Sequence, residues 1–241
     1  PNIKFDSKKL SSIMATLREI KTKDELVLLK KAVEISAVGQ LEIMKAMHPD
    51  MSETEVQGVH EFVYKKYGAE YEGYPSIVGA GGNGCILHYT DNNRALKKGD
   101  LVLIDAGCEL DSYASDITRT FPVNGKFSGP QKALYELVLN AQAAAIAVTA
   151  PGKRFTDGHD AALKVLAQGM LDTGLLNKNK VGTLDDVITN GDYRQFYMHR
   201  TGHWLGMDVH DVGDYRDHVP EGEQKPWRTL MPGMVLTIEP G

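Results

Sequence analysis

Two aspartates stand on the two strands of a predicted hairpin, where apolar residues would be easier to bury. The runs Leu101–Ile104 and Ile117–Phe121 are rich in Val, Ile, Thr and Phe, which favours antiparallel strands. Asp105 directly follows the first run and Asp116 directly precedes the second. A turn centred on Leu110–Asp111 would place the two aspartates opposite each other, with Cβ atoms about 5 Å apart.

Two carboxylates at that distance repel each other unless they share a proton or a cation lies between them. The hairpin therefore predicts either a proton-sharing pair of acids or a metal site. The competing interpretation is a surface hairpin with solvated acids, and the turn residue Asp111 is typical of one.

Histidines concentrate in a short segment of the last third of the chain. Three of the eight histidines, His199, His203 and His210, fall between positions 199 and 210. Gly202 and Gly206 disfavour a helix there, and no glutamate follows His199 as in the helical zinc motif HEXXH. Imidazole and carboxylate together suit Zn²⁺, Mn²⁺, Fe²⁺ or Co²⁺. Bridging carboxylates with a histidine are what a two-metal hydrolytic site requires, with metals about 3.5–4 Å apart.

The segment 74–90 predicts a strand, a glycine turn and a second strand. Alternation in that second strand would place His88 on the face of Ile86, as a hydrogen-bonded, half-buried side chain. Gly79, Gly81 and Gly84 formally match the dinucleotide fingerprint GxGxxG. We reject a dinucleotide site, because a strand-like run rather than a helix N-terminus follows the glycines.

Composition excludes several classes of protein. The 241 residues are 42% hydrophobic and 24% charged, which is typical of a folded domain. The net charge of −5 argues against a nucleic-acid partner, and no apolar run is long enough for a membrane span. The two cysteines, Cys85 and Cys108, form no disulfide framework, so we predict reduced core thiols and a cytoplasmic location.

Helical patterns flank these candidate residues. We predict a short helix within residues 10–17, an amphipathic helix from Asp24 and a third from the capping box Ser52-x-x-Glu55 to Gly68. The apolar face of the second would be Leu26, Leu29, Val33, Ala37, Leu41 and Met44. Further helices are predicted from Ser128 and from Thr156 or Asp157, then a polar loop over 174–195, a loop over 213–229 and a strand at Met234–Glu239.

One internal repeat suggests two related halves. Residues 97–107 and 231–241 share the pattern x-x-Gly-x-apolar-apolar-x-Ile-acid-x-Gly, which aligns Asp105 with Glu239. If the repeat is real, a second acidic strand should follow Glu239, as Asp116 follows Asp105.

Three motifs together carry a family resemblance: IDAG-x8-DITRTF from Ile104, HWLG-x-DVHDVG from His203 and PGMVLTIEPG from Pro232. The chain resembles the metallopeptidases with the pita-bread fold, and most closely their aminopeptidase P branch, over roughly residues 20–241. The resemblance implies an α+β fold of two pseudo-symmetric halves, each with curved antiparallel sheet and flanking helices.

The resemblance also implies residue roles. Asp105, Asp116, His203 and Glu239 would bind two divalent metal ions, most often Mn²⁺. Glu239 would also move a proton during attack by a metal-bridging water, and His88, His199 and His210 would be catalytic, substrate-binding histidines. The implied reaction is removal of the N-terminal residue from peptides with proline in second position. Alternatives of the same fold are a prolidase, a methionine aminopeptidase and a metal-free binding module. A two-metal phosphoesterase using Arg119 and Arg200 is a further alternative.

Two departures from the family concern the ends of the chain. The family's fifth ligand, a bridging glutamate on a later strand, is not in this sequence, and neither is an N-terminal domain. We therefore expect residues 1–20 to be a linker from such a domain and 21–241 to be a catalytic domain truncated at its C-terminal end. Without these two parts, metal binding and turnover would be weaker. The resemblance also implies that the full-length protein is a homo-oligomer.

Overall fold

The computed structural model describes residues 6–220 and 222–241. Contacts divide the chain into two compact units. The N-terminal unit consists of Lys21–Gly129 and Leu205–Asp211, and the C-terminal unit of residues up to Ile20, Pro130–Trp204 and Val212–Gly241. Helices combine with antiparallel strands, which confirms the α+β class. Within the described residues, no helix is both long and apolar enough to cross a membrane.

The N-terminal unit packs two helices against antiparallel sheet. The helices are α2 (Lys23–Ala46) and α3 (Glu53–Lys66). The strands are β1 Tyr71–Glu72, β2 Ile77–Ala80, β3 Leu101–Ala106, β4 Cys108–Leu110, β5 Tyr113–Ala114 and β6 Ile117–Pro122. One sheet has the order β2-β3-β6 and the other β1-β4-β5. Their core is formed by apolar residues of α2, α3, β2, β3 and β6, including Ile43, Val56, Val78, Val102, Ile104 and Phe121.

The predicted ends of α3 are confirmed, whereas the predicted face of α2 is largely wrong. Ser52 and Glu55 form the predicted capping box of α3, and Gly68 follows the helix with a positive φ of 93°. On α2, the predicted face residues Leu26, Val33, Leu41 and Met44 are exposed. The buried face is Leu29, Ala32, Ile35, Ser36, Gly39, Gln40 and Ile43.

Small and polar residues define this buried face because α2 packs closely on its neighbours. A Cβ atom on Gly39 would lie 2.6 Å from the His60 ring of α3, so only glycine permits that approach. Ser36 Oγ accepts a hydrogen bond from the Cys108 amide at 2.9 Å. Gln40 donates to the carbonyl oxygen of Ile117 at 3.0 Å. The positions of the large apolar residues therefore do not identify the buried face of α2, because small and polar residues form part of it.

The aspartate hairpin forms, but its register differs from the predicted one. Asp105 of β3 pairs with Thr118 of β6 rather than with Asp116. The turn is centred on Asp111 and Ser112, whose φ angles are 49° and 69°, as a two-residue hairpin turn of type I′ requires. The observed turn lies one residue later than the predicted one, so the residue opposite Asp105 is two positions further along β6. Because side chains alternate with period two, Asp105 and Asp116 remain on one face as diagonal neighbours.

The predicted strand after Gly84 is wrong. A 3-10 helix spans Gly81–Cys85, and no regular strand follows before β3. The glycines explain this, because Gly84 folds back so closely that a Cβ on Gly79 would lie 2.7 Å from its nitrogen. Cys85 is exposed and Cys108 buried, so the prediction of two core thiols holds only for Cys108.

The C-terminal unit is mainly helical. Its helices are α1 Ser7–Arg18, α4 Gly129–Val148, α5 Phe155–Asp172, α6 Lys178–Val181 and α7 Leu184–Asn190, and a 3-10 helix spans Asp192–Gln195. The predicted helices are present, but α5 begins at Phe155 with Arg154 as its N-cap rather than Thr156 or Asp157. The predicted loop over 174–195 is wrong. Thr183 caps α7 by accepting from the Asp186 amide, and the Asp186 carboxylate accepts from Thr183 in return. Apolar residues of α4, α5 and α7 form the core of this unit.

Residues 234–239 are extended but do not form the predicted regular strand. Leu236 forms an isolated antiparallel bridge with Trp204. The Thr237 amide donates to the His203 carbonyl at 2.9 Å, and the Glu239 amide donates to the Thr201 carbonyl at 2.7 Å. The segment therefore pairs with the stretch 201–204.

The two repeated segments have matching local geometry. Gly99 and Gly233 have φ angles of 93° and 92°, and each is the third residue of a turn in which Asp100 or Met234 donates to the residue three positions earlier. In the first repeat, Asp105 and Leu103 pair with Ile77 and Gly79. In the second, Glu239 and Thr237 pair with Thr201 and His203. His203 thus corresponds to Gly79, so the repeat extends to the neighbouring strand.

His60 makes the stability of the N-terminal unit depend on pH. Its side chain is fully buried, neither ring nitrogen has a hydrogen-bond partner, and burial lowers its pKa from 6.5 to about 4. Between these values the unfolded chain binds a proton that the folded chain does not. We therefore expect His60 to reduce the free energy of unfolding as pH falls from 6.5 to 4, by about 1.4 kcal/mol per pH unit.

Urea unfolding of wild type and His60→Leu between pH 7 and pH 4 measures this contribution. The difference in slope between the two proteins isolates His60 from the carboxylates that also titrate. The control His48→Leu changes an exposed histidine and should keep the wild-type slope. Equal slopes for wild type and His60→Leu would contradict the assignment.

Candidate metal centre

Asp105 and Asp116 both lie within hydrogen-bond distance of one tyrosine hydroxyl. The hydroxyl group of Tyr74 donates to Oδ1 of Asp105 and lies 3.0 Å from Oδ1 of Asp116. Removal from solvent and the two neighbouring carboxylates raise the pKa of Tyr74 well above its usual value, so the phenol stays protonated. Two carboxylates that meet at one neutral hydroxyl repel each other, so the pair favours a cation.

In the C-terminal unit, His203 and Glu239 form a second cluster. His203 Nε2 lies 3.1 Å from Glu239 Oε1. The Thr237 hydroxyl donates to the same Oε1 at 2.8 Å and accepts from the His203 backbone amide at 3.0 Å. The imidazole is buried and Glu239 is half-buried. One threonine thus fixes both side chains relative to each other.

The orientation of His203 suits metal binding. Its Nδ1 lies 2.9 Å from the carbonyl oxygen of Trp204. A carbonyl only accepts, so Nδ1 carries a proton, and Nε2 is the ring nitrogen that faces the Glu239 carboxylate. Metal-binding histidines typically donate their second ring N–H to a carbonyl or carboxylate in this way. Carboxylates and imidazole without thiolate are the donors of a hydrolytic divalent site rather than of a structural zinc site, so the residues fit such ions.

The other three predicted site histidines are more exposed. His88 lies after the 3-10 helix with a positive φ of 54° and is exposed, so the expected half-buried position on a strand is wrong. His199 is half-buried. Its ring meets the Tyr197 ring edge to face at a centroid distance of 5.0 Å, and its Nδ1 lies 2.8 Å from the Arg200 carbonyl oxygen.

His210 is exposed on a loop that a buried ion pair holds. The Lys21 ammonium lies 2.9 Å from Oδ2 of Asp211, and their side chains are only 3% and 1% exposed. The loop Leu205–Asp211 is also bound by a hydrogen bond from the Ala114 amide to the Gly206 carbonyl, at 2.9 Å. Asp211 thereby holds the loop of His210 next to the start of α2, and Gly206 holds it against β5.

A polar network supports the residues around His199. Thr201 Oγ1 lies 2.8 Å from His159 Nδ1 and 2.5 Å from the Tyr197 hydroxyl. Burial raises the pKa of Tyr197 to about 12 and lowers that of His159, so both side chains stay neutral near pH 7. The network joins the start of α5 to the stretch that pairs with Glu239.

The sequence matches a known family over most of its length. Residues 27–241 match the model of metallopeptidase family M24. The chain belongs to this family. Members of M24 are metallopeptidases that use divalent metal ions, and carboxylate and imidazole groups of the kind found in the two clusters suit such ions. The α+β pita-bread fold predicted from the resemblance is confirmed.

Among curated proteins, the chain is 48% identical to the Xaa-Pro aminopeptidase of Haemophilus influenzae, over 95% of this chain and 51% of that protein. It is 41% identical to the Xaa-Pro aminopeptidase of Escherichia coli, over 95% of this chain and 49% of that protein. The solved structure of Pseudomonas aeruginosa aminopeptidase PepP superposes with a TM-score of 0.89 at 47% identity, covering 95% of this chain and 50% of the other. The chain thus spans about half the length of these relatives.

Sequence patterns did not reveal several residues that support the clusters. They are Tyr74, which binds both aspartates, Thr237, which fixes Glu239, and the ion pair of Lys21 with Asp211. Thr237 had one available signal, its place between apolar residues on a segment that repeats β3. Tyr74 and Lys21 had none, because their partners are 31 and 190 positions away along the chain.

Removing the Tyr74 hydroxyl should weaken metal binding. In Tyr74→Phe, Asp105 and Asp116 lose their shared donor, and outer partners of metal ligands typically contribute about 10–100-fold in affinity. Titration of the full-length apoprotein with Mn²⁺ in a calorimeter should show a loss of that size. Tyr71→Phe, at an exposed position on β1, should bind as wild type does. Unchanged affinity in Tyr74→Phe would refute the role of the hydroxyl.

The ion pair of Lys21 and Asp211 should contribute to stability mainly by compensating a buried charge. In Lys21→Met, the Asp211 carboxylate loses its cation in the interior, and breaking such a pair typically costs about 3–5 kcal/mol. The exposed control Lys23→Met should cost far less. Urea unfolding measures both, and Lys21→Met/Asp211→Leu should recover part of the loss. No recovery would contradict the charge-based explanation.

Proposed function

We propose that the full-length protein is an Xaa-Pro aminopeptidase, which removes the N-terminal residue from peptides with proline in second position. The observation that carries the proposal is the pair Asp105 and Asp116 on one tyrosine hydroxyl, in a chain 48% identical to an Xaa-Pro aminopeptidase. The names of the relatives do not favour the prolidase alternative.

Asp105, Asp116, His203 and Glu239 are the proposed ligands of two divalent ions, for which we propose Mn²⁺. Such ions lower the pKa of water and polarise a carbonyl group, so that hydrolysis proceeds at neutral pH. One solved structure of E. coli aminopeptidase P is described as zinc-substituted and bound to product. That relative therefore accepts zinc, and the proposal of manganese for this protein needs a direct measurement.

The protein's own residues would bind the substrate and move protons. The Thr237 hydroxyl donates to Oε1 of Glu239, so Oε2 is the oxygen that we propose takes the proton from the attacking water. His88, His199 and His210 would contact the scissile carbonyl, the developing oxyanion and the substrate amine. The bond before proline is a tertiary amide without an N–H, so recognition must use the free amine and the proline ring.

The remaining parts of the proposal concern the domain organisation, the oligomeric state and the cellular location of the protein. We propose that residues 21–241 form the catalytic domain, that residues 1–20 link it to a preceding domain and that the full-length protein is a homo-oligomer. The helix predicted in residues 10–17 is present as α1, but its role as a linker stays a prediction. Both cysteines are free thiols, which supports the proposed cytoplasmic location.

The decisive experiment measures release of the first residue from Arg-Pro-Pro by the full-length protein. We expect turnover with Mn²⁺, none after chelation, and recovery when metal is restored. Preference for the tripeptide over an Arg-Pro dipeptide would support the aminopeptidase, and cleavage of the dipeptide alone would instead indicate a prolidase. Failure to release the residue at any metal loading would refute the proposal.

Substitutions test the proposed ligands. Asp116→Asn should lower kcat/KM by more than the roughly 10–100-fold typical of an outer partner and should reduce the bound metal per chain. Asp111→Asn is a matched control, because Asp111 is an exposed aspartate in the turn of the same hairpin, and it should behave as wild type. Full metal content and activity in Asp116→Asn would contradict its assignment.

A further inference from the structure

Glu53 is a fully buried carboxylate with a complete set of hydrogen-bond donors. Its Oε1 accepts from the Ala80 amide at 2.7 Å and from Asn83 Nδ2 at 3.0 Å. Its Oε2 accepts from the Tyr89 hydroxyl at 2.8 Å and from the Arg94 amide at 2.9 Å. Four donors match the four acceptor positions of an ionised carboxylate. Glu53 is also the first residue of α3, where the helix dipole stabilises negative charge.

The four donors enclose one loop. Ala80 is the last residue of β2, and Arg94 lies where the chain returns toward β3. Between them, residues 81–93 contain His88, and the donor Tyr89 directly follows this histidine in the sequence. Glu53 therefore binds the loop at its start, inside the 3-10 helix, next to His88 and at its end.

The loop is fixed at its base and exposed at its tip. Asn92 is buried, accepts from the Val78 amide at 3.0 Å and donates to the Ser76 carbonyl at 2.8 Å. The residues of the tip, 85–88, are exposed, with Leu87 at 59%. An exposed tip has few packing contacts of its own, so its position depends on the polar contacts at the base.

His88 itself adopts an unfavourable backbone conformation. Its φ of 54° is in the left-handed region, which is uncommon for residues other than glycine, although histidine is found there more often than most. Such a conformation persists only where the surroundings impose it. The buried hydrogen bond between Tyr89 and Glu53 acts one residue away, and so provides that constraint.

We propose that Glu53 is a positioning residue for His88. It holds the loop 81–93 so that the imidazole faces the substrate, and it does not touch the substrate itself. The inference rests on the proposed function, in which His88 contacts the substrate.

The substitution Glu53→Gln in the full-length protein tests this role. Glutamine keeps the shape but turns one acceptor oxygen into an NH₂ group that opposes two donors. Because small misplacements of catalytic groups are costly, we expect kcat/KM toward Arg-Pro-Pro to fall about 10–100-fold. The matched control is Glu55→Gln, two positions on in the same helix, where Glu55 caps the backbone of Ser52 and binds no loop residue that we assign to catalysis. It should retain kcat/KM within about twofold.

A double-mutant cycle separates positioning from a general structural effect. If Glu53 acts through His88, Glu53→Gln should cost almost nothing further in a His88→Ala background. An equal loss in both backgrounds would overturn the proposal, as would wild-type kcat/KM in Glu53→Gln. If Glu53→Gln does not fold, Tyr89→Phe can replace it in the double-mutant cycle. This change removes one hydrogen-bond donor to Glu53, so we expect a smaller fall in kcat/KM.

Hydrogen exchange tests the anchor without any assay of activity. Amides of residues 81–93 should exchange faster in Glu53→Gln, or in Tyr89→Phe, than in wild type and Glu55→Gln. Unchanged exchange would overturn the proposal. If the wild-type protein released no residue from Arg-Pro-Pro, the proposed function would fail, while the exchange result would still decide whether Glu53 holds the loop.

Discussion

Repulsion between carboxylates at short distance is the constraint on which the site depends. Asp105 and Asp116 approach one phenol hydroxyl from adjacent strands, although either position could hold an apolar residue at lower electrostatic cost. The backbone permits the approach at Gly107, where a Cβ would lie 1.8 Å from the Ser115 carbonyl oxygen. A hairpin with any side chain at position 107 could not bring these strands together in the same way.

The two units use the same local design with different side chains. A glycine turn leads into an extended segment that carries an acid, and the neighbouring segment pairs with it in the same register. In the N-terminal unit the neighbour carries Gly79, which lets the glycine-rich turn fold back onto β2. In the C-terminal unit the corresponding position carries His203, whose imidazole lies beside Glu239. One backbone arrangement therefore supports a glycine turn in one unit and a histidine–carboxylate cluster in the other.

Buried charges fix the loops of the N-terminal unit that carry exposed histidines. Glu53 binds both ends of the loop of His88, and Lys21 neutralises Asp211 beside His210. Each charge is fully compensated, by four donors or by one cation, so the interior tolerates it. Charged anchors suit this purpose because their hydrogen bonds have defined directions, whereas apolar contacts allow a loop to slide.

Much of the fold and of the site could be predicted from local patterns. The capping box of α3, the apolar runs of β3 and β6 and the motif residues Asp105 and Glu239 all lie where the sequence indicated. The errors arise where a distant contact overrides a local preference. The face of α2 was wrong because Gly39 and Gln40 pack against α3 and β6, and the segment after Gly84 was wrong because those glycines fold back onto β2.

The sequence by itself determined the family, the types of metal-binding side chain and the face shared by Asp105 and Asp116, because motifs and strand alternation are local properties. Only the tertiary structure decided the register of their hairpin, which depends on left-handed backbone at Asp111 and Ser112. It also decided the partners Tyr74, Thr237 and Glu53. A single hydrogen bond between residues far apart in the chain leaves no periodic pattern in the sequence. Such partners can therefore be identified only from the three-dimensional structure.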